Sequence, residues 1–204
     1  MLLCPDCQQK MVRIKEPLCS RCGRELPVPG LCQACAAAPQ LLGQVRAPLR
    51  YEEPLSSVIH LMKYEGYFAL TEPLAALMAQ GWPRWTMPID YLVPVPLHAR
   101  RRRKRGYDQA ALIARHLSRS VEVPGADKIL KRSRHTRPQV GLDAEERQNN
   151  VKDAFRTVGR VDNQHLLLID DVYTTGATMS AAAETLLNAG AATVSAYCLA
   201  RAAR

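Results

Sequence analysis

The chain has 204 residues, 47% of them apolar and 23% charged, with a formal charge of +9. That length gives one good-sized core with a small appendage and excludes two full domains. The composition is that of an ordinary globular protein, and no apolar run approaches the roughly 20 residues that span a bilayer.

The chain starts Met-Leu-Leu-Cys-Pro-Asp-Cys, without the basic start or apolar stretch of a secretory leader. The cytoplasm is therefore the expected compartment, with no membrane insertion. Six of the seven cysteines precede residue 36, as the pairs Cys4/Cys7, Cys19/Cys22 and Cys32/Cys35. In a reducing compartment this Cys-x-x-Cys spacing reads as zinc ligation rather than as disulfides. One pair puts two thiolates on one turn, and two pairs complete a tetrahedron. Cys19/Cys22 suits a site with Cys32/Cys35, nine residues on, and almost equally one with Cys4/Cys7, eleven residues back. Either one pair is left over or a second site is incomplete; a redox role is the other reading for an unpaired dithiol. A closed four-cysteine site has no open position, so the expected role of zinc is structural. Residues 1–38 are too few to fold around an apolar core, and a metal supplies what is missing.

The remainder, residues 44–204, reads as a single α/β unit. Residues 44–52 alternate roughly and suit an edge strand, where Pro48 is tolerated. Leu55, Val58, Ile59 and Met62 recur at helical spacing, with Gly66 as a stop. Thr71 is the expected cap of a second helix, with Pro73 in its first turn and Gly81 after its end. Residues 91–95 form a short apolar strand. It runs into a basic loop with six consecutive cations, Arg100 to Arg105, and then a helix from about Asp108 to Ser118. Lys128–Leu130 suits another strand. A second basic cluster (Lys131, Arg132, Arg134, His135, Arg137) opens a polar stretch, 132–143, that reads as a long loop. Glu145–Asn150 resembles the start of a short helix. His165–Ile169 is a buried strand, Thr178–Asn188 a helix ended by Gly190, and Thr193–Leu199 a last strand that buries Cys198. Strands alternating with helices imply a parallel sheet.

The segment from Leu166 to Met179 carries the chemistry. Four large apolar residues make a strand covered on both faces. Asp170 and Asp171 follow at its carboxyl end, where open α/β sheets bind ligands. A turn of small and hydroxylated residues comes next, with Gly176 expected to let the backbone approach a ligand. A helix then begins, so free N–H groups and the helix dipole face the turn, an arrangement that cradles one phosphate. The plainer reading is a structural strand–turn–helix with a chance acidic pair. The basic clusters attract phosphates, of a small ligand or a nucleic acid; the plainer reading there is a solvated face.

This segment resembles the phosphoribosyl pyrophosphate (PRPP) signature of type I phosphoribosyltransferases. Residues 59–64, 93–98, 105–110 and 147–155 and the cysteine-rich start are similar to the competence-protein ComF/GntX branch of that family. The resemblance implies a parallel-sheet type I phosphoribosyltransferase-like domain behind a small N-terminal zinc ribbon. It implies that Asp170 and Asp171 meet the ribose hydroxyls, and that Thr174, Thr175, Gly176, Ala177 and Thr178 hold the 5′-phosphate. It makes Pro96–Arg105 the pyrophosphate loop, with Pro96, Leu97, His98, Arg100 and Arg105 as candidates. It makes 132–143 a lid whose Arg134 or Arg137 touches the leaving pyrophosphate. Magnesium is implied with PRPP, for transfer to an acceptor that nothing in the sequence announces. A part in natural competence is implied as well, with single-stranded DNA and other DNA-uptake proteins as partners. A non-catalytic PRPP sensor and a single-strand-handling protein remain the alternatives. Tyr107 is the aromatic nearest the basic clusters in sequence, so base stacking finds little support there.

Overall fold

The computed structural model describes residues 3–37, 41–133 and 154–202. Arg134, Arg137, most of the expected lid and the helix expected at Glu145–Asn150 lie outside the described residues. In chain order the helices are α1 (Pro5–Lys10), α2 (Gln33–Ala37), α3 (Leu55–Tyr64), α4 (Thr71–Gln80), α5 (Ala99–Arg105), α6 (Gln109–Val121) and α7 (Ala177–Asn188). The strands are β1 (Val45–Arg46), β2 (Leu49–Arg50), β3 (Tyr91–Pro94), β4 (Leu130–Arg132), β5 (Phe155–Thr157), β6 (His165–Tyr173) and β7 (Thr193–Arg201).

Five strands make one parallel sheet. β7 has β6 on one side and both β1 and β2 on the other, and β3 lies outside β6. The central strands are apolar on both faces because helices cover both. Leu167 and Ile169 of β6 and Tyr197 and Leu199 of β7 enter a core with α3, α4 and α6. Leu166, Leu168, Val194, Ala196 and Cys198 point the other way, into a core with Val93 and α7. The period of two along each strand thus builds two separate cores. β4 and β5 pair apart from the sheet as an antiparallel two-stranded ladder.

The helical spacing of Leu55, Val58, Ile59 and Met62 is borne out: all four are buried on α3. Other expectations change. Residues 44–52 split at Pro48 into β1 and β2. Thr71 does not cap α4; Leu70 holds that position, and the Thr71 hydroxyl donates to the Phe68 carbonyl at 2.7 Å. The basic stretch is not a loop throughout. Arg100–Arg105 belong to α5, capped at its start by His98, whose ring accepts from the Arg100 N–H at 3.2 Å. Gly106, in the left-handed region at φ 86°, ends it. Arginine and lysine are good helix formers, but six in a row carry no apolar period to reveal the helix.

The cysteine-rich segment packs along the outer edge of the sheet. Val45 N–H donates to the Arg21 carbonyl at 2.7 Å, and Ile14 and Arg50 N–H donate to the Pro48 and Val12 carbonyls. Leu3 and Met11 enter the same core as α3 and α4. An edge strand left bare would template pairing with another chain, and this segment covers it.

Candidate functional site

β6 extends past its apolar run. Asp170 pairs with Cys198, and Val172 and Tyr173 with Ala200 and Arg201, so the acidic pair lies inside the strand rather than beyond it. Asp171 is 3% exposed and Asp170 half-buried. Burial and the charge of Asp171 push the Asp170 carboxyl up to about 8. Lys63 answers Asp171 directly, and Arg132 acts on Asp170 through its charge. Lys63 Nζ, from the last turn of α3, lies 2.6 Å from Asp171 Oδ1. Burial works against the Lys63 charge, but Asp171 beside it holds the ammonium above its ordinary range. Asp171 Oδ2 is buried and has no hydrogen-bond partner among the described residues. A carboxylate oxygen so placed fits a metal ion or a donating hydroxyl. Lys63 was absent from the sequence-derived candidates. Its signal there was its place within residues 59–64, one of the stretches similar to the ComF/GntX branch, on a helix otherwise read for its apolar face.

The turn after β6 leads into α7, which starts at Ala177 with Gly176 as its cap at φ 82° and no side-chain cap. With no side chain on its cap residue, α7 turns the positive end of its dipole toward this turn. A methyl group at Gly176 would collide with the Tyr173 hydroxyl. Thr174, Gly176, Ala177 and Thr178 line a cavity of about 1070 Å³ that also holds Lys63, Asp170 and Asp171. Thr175 does not reach that wall; its hydroxyl accepts from the Ala177 N–H at 3.3 Å.

Part of the same lining is cationic. Pro96, Leu97, Arg100, Arg101, Lys104, Arg105 and Arg132 make up that part. Helical geometry divides the basic run: positions 100, 101, 104 and 105 share one face, while Arg102 and Arg103 point to solvent. Burial, with Arg101 nearby, brings Arg132 down to about 10. His98, placed by the sequence among the pyrophosphate-loop candidates, is the cap of α5. Asp108 holds this wall in place, since its carboxylate accepts from Leu97 N–H at 2.9 Å and from Ala111 N–H at 3.3 Å.

Aromatic rings flank the cationic wall, contrary to expectation. Tyr64, 62% exposed, stands between His60, at 4.9 Å between ring centroids, and Arg105, whose Cζ is 5.6 Å from its centroid. Phe68, 57% exposed, lies 5.8 Å from Tyr107. The rings come from α3 and the turn after it, some forty residues before Arg105 and Tyr107, which they meet, so sequence distance hid them.

Four cysteines form the metal candidate. The sulfurs of Cys19, Cys22, Cys32 and Cys35 lie within 4.8 Å of one another, all buried. Cys22 Sγ and Cys32 Sγ are 3.7 Å apart. Zinc–sulfur bonds of about 2.3 Å in a tetrahedron give sulfur separations of about 3.8 Å, so zinc fits. Burial raises the Cys19 thiol, but backbone N–H groups of Cys32, Cys22 and Arg21 outweigh it and bring the thiol down to about 6. The pairing open in the sequence is thereby resolved: Cys32/Cys35 partner Cys19/Cys22. Cys4 and Cys7, exposed and half-buried, join no cluster among the described residues.

Residues 104–204 match the family model for a phosphoribosyl transferase domain, and residues 1–36 that for a double zinc ribbon domain. Competence protein F of Haemophilus influenzae is 32% identical, across 98% of this chain and 90% of its own. This chain belongs to the competence protein F family. DNA utilization protein YhgH of Salmonella typhimurium is 34% identical over the same shares. Competence protein ComFC of Bacillus subtilis is 28% identical, across 98% of this chain and 84% of its own. The expected fold, a type I phosphoribosyltransferase-like parallel sheet behind a zinc ribbon, is borne out. Among the described residues, no helix is long and apolar enough to cross a membrane.

Two predictions follow from the charges and thiols. Metal analysis should find one zinc per chain, kept in Cys4→Ser and lost in Cys19→Ser; a zinc lost with Cys4 would contradict the pairing. Lys63→Met leaves Asp171 charged, buried and unpaired, so it should cost about 3–5 kcal/mol in urea unfolding at pH 7. A cost below about 1 kcal/mol, that of a surface pair, would show that the ion pair is solvated.

Proposed function

We propose that this member of the competence protein F family binds PRPP and, with magnesium, transfers its phosphoribosyl group to an acceptor in DNA uptake or utilisation. The observation that carries the reading is one cavity, lined by Asp170 and Asp171 in the last part of β6, by Thr174 and Gly176–Thr178 at the start of α7, and by the cations of α5. In this reading Asp170 and Asp171 accept from the ribose 2′- and 3′-hydroxyls. The 174–178 turn and the first N–H groups of α7 hold the 5′-phosphate. Pro96, Leu97, Arg100 and Arg105 border the pyrophosphate. The C1′–oxygen bond breaks, its electrons leave with pyrophosphate, and the acceptor's nucleophile forms the new bond to C1′. Cations facing the leaving group stabilise its growing charge, and the turn fixes the sugar for in-line attack. Magnesium, when bound beside Asp170 and Asp171, supplies further neutralisation of the pyrophosphate.

Residues 1–38 act in this reading as a zinc ribbon and 44–204 as the phosphoribosyltransferase-like unit, in a reducing cytoplasm that keeps the thiols free for metal. The DNA connection draws on what the names of the relatives say of those proteins, competence and DNA utilisation. The exposed rings of Tyr64 and Phe68 beside the α5 cations favour an unpaired strand, whose bases stack while its phosphates meet arginine.

Calorimetry tests the ligand. PRPP with magnesium should bind the wild type between micromolar and millimolar strength, and the doubly substituted Asp170→Ala, Asp171→Ala protein should give no heat of binding. No heat from the wild type, or equal heats from both, would sink the reading.

A further inference from the structure

The zinc site and the 174–178 turn are joined by two side chains. Arg201 ends β7. Its guanidinium donates to the Cys22 carbonyl oxygen at 2.5 Å and to Cys22 Sγ at 3.7 Å. The same guanidinium covers the Tyr173 ring, with Cζ 4.9 Å from the centroid. Tyr173 ends β6 directly beside Arg201 in the parallel ladder, and it is 7% exposed. Its hydroxyl end occupies the space next to Gly176, the cap of α7. Tyr173 also lines the cavity that holds the acidic pair.

We propose that Arg201 is a positioning residue through which the zinc site holds the 174–178 turn in its ligand-ready shape. Zinc bound by four thiolates is an anion, and a guanidinium donating to a ligating sulfur is drawn to it by a charge-assisted hydrogen bond. Residues that touch metal ligands from outside fix those ligands and are fixed by them. The guanidinium of Arg201 is planar and rigid, so anchoring one edge at Cys22 settles where its face lies over Tyr173. The Tyr173 ring in turn has little freedom, because Gly176 is in contact with its hydroxyl end. The path of the turn backbone, and the direction of the first N–H groups of α7, follow from the ring. Zinc and the cavity's ligand are then energetically coupled, and each tightens the other by the same factor. For the rigidity of the turn the inference stands on geometry alone; for the ligand it rests on the proposed function.

The test uses full-length, zinc-loaded protein and two readouts. The first is amide hydrogen exchange without PRPP. In Arg201→Met, peptides covering 174–178 should exchange roughly ten-fold faster, while those of α6 keep their wild-type rate. Arg201→Lys keeps a cation but cannot hold the Cys22 oxygen and cover the ring together, so it should show a smaller rise in the same peptides. Unchanged exchange at 174–178, or a rise spread equally over α6, would overturn the proposal. If Arg201→Met does not fold, Arg201→Lys against wild type decides by the same criteria. The second readout is zinc release to a chelating dye. PRPP with magnesium should slow it roughly five-fold or more in the wild type and leave it unchanged in Arg201→Met. Equal slowing in both proteins would overturn the coupling. A turn that responds to Arg201, with no PRPP binding to either protein, would support the positioning role and remove PRPP as the ligand.

Discussion

Two neighbouring carboxylates in the body of a covered strand cannot both hold full charge without an answering cation. Lys63 gives that answer to Asp171 at 2.6 Å, and Asp170 is left with its carboxyl lifted to about 8. Much of the architecture serves this placement. α3 delivers Lys63 because Leu55, Val58, Ile59 and Met62 seat the helix against the sheet. Asp171 Oδ2 keeps an unmet demand that a ligand can meet. A partly charged pair with one open oxygen is prepared for a cation or a sugar hydroxyl, with little rearrangement left for the moment of binding.

The basic helix balances this acidic corner in the same cavity. Its cations repel one another, and Arg101 and Arg132 are both drawn below their ordinary range, by burial first and by a neighbouring arginine second. Such a wall gains by meeting phosphate. The ribbon covers the outer edge of the sheet. Glu25 holds Arg50 at 2.6 Å, and Arg46 donates to carbonyls of Ser20 and Arg21. The edge strands, the metal cluster and the last residues of β6 and β7 therefore share one network.

The acidic pair, the turn and the three cysteine pairs were legible because each is local: a run of neighbours whose spacing states its geometry. The apolar run of β6 and the period of α3 were legible for the same reason. What stayed hidden depends on distant residues. Lys63 meets Asp171 across more than a hundred residues, and Tyr64 meets Arg105 across forty-one. The choice between two pairings of cysteines needed the fold of the ribbon. The Tyr197 hydroxyl, which donates toward the Met78 and Gly81 carbonyls at 2.7 and 2.8 Å under Trp82 and Trp85, likewise leaves no mark in a local pattern. α5 was missed because a helix that is polar all round has no stripe to read.

The state of Asp170 tests the account most directly. With its carboxyl near 8, it is mostly protonated at pH 7 in the ligand-free protein and must ionise to hold a cation. Below that value binding therefore releases a proton, and well above it none is left to release. Calorimetry of PRPP with magnesium in buffers of different ionisation heat reads this number. The wild type should release about one proton more at pH 7 than Asp170→Asn at saturating ligand, and the difference should vanish above pH 9. Equal proton release from the two proteins at pH 7 would contradict the central place given to this carboxylate.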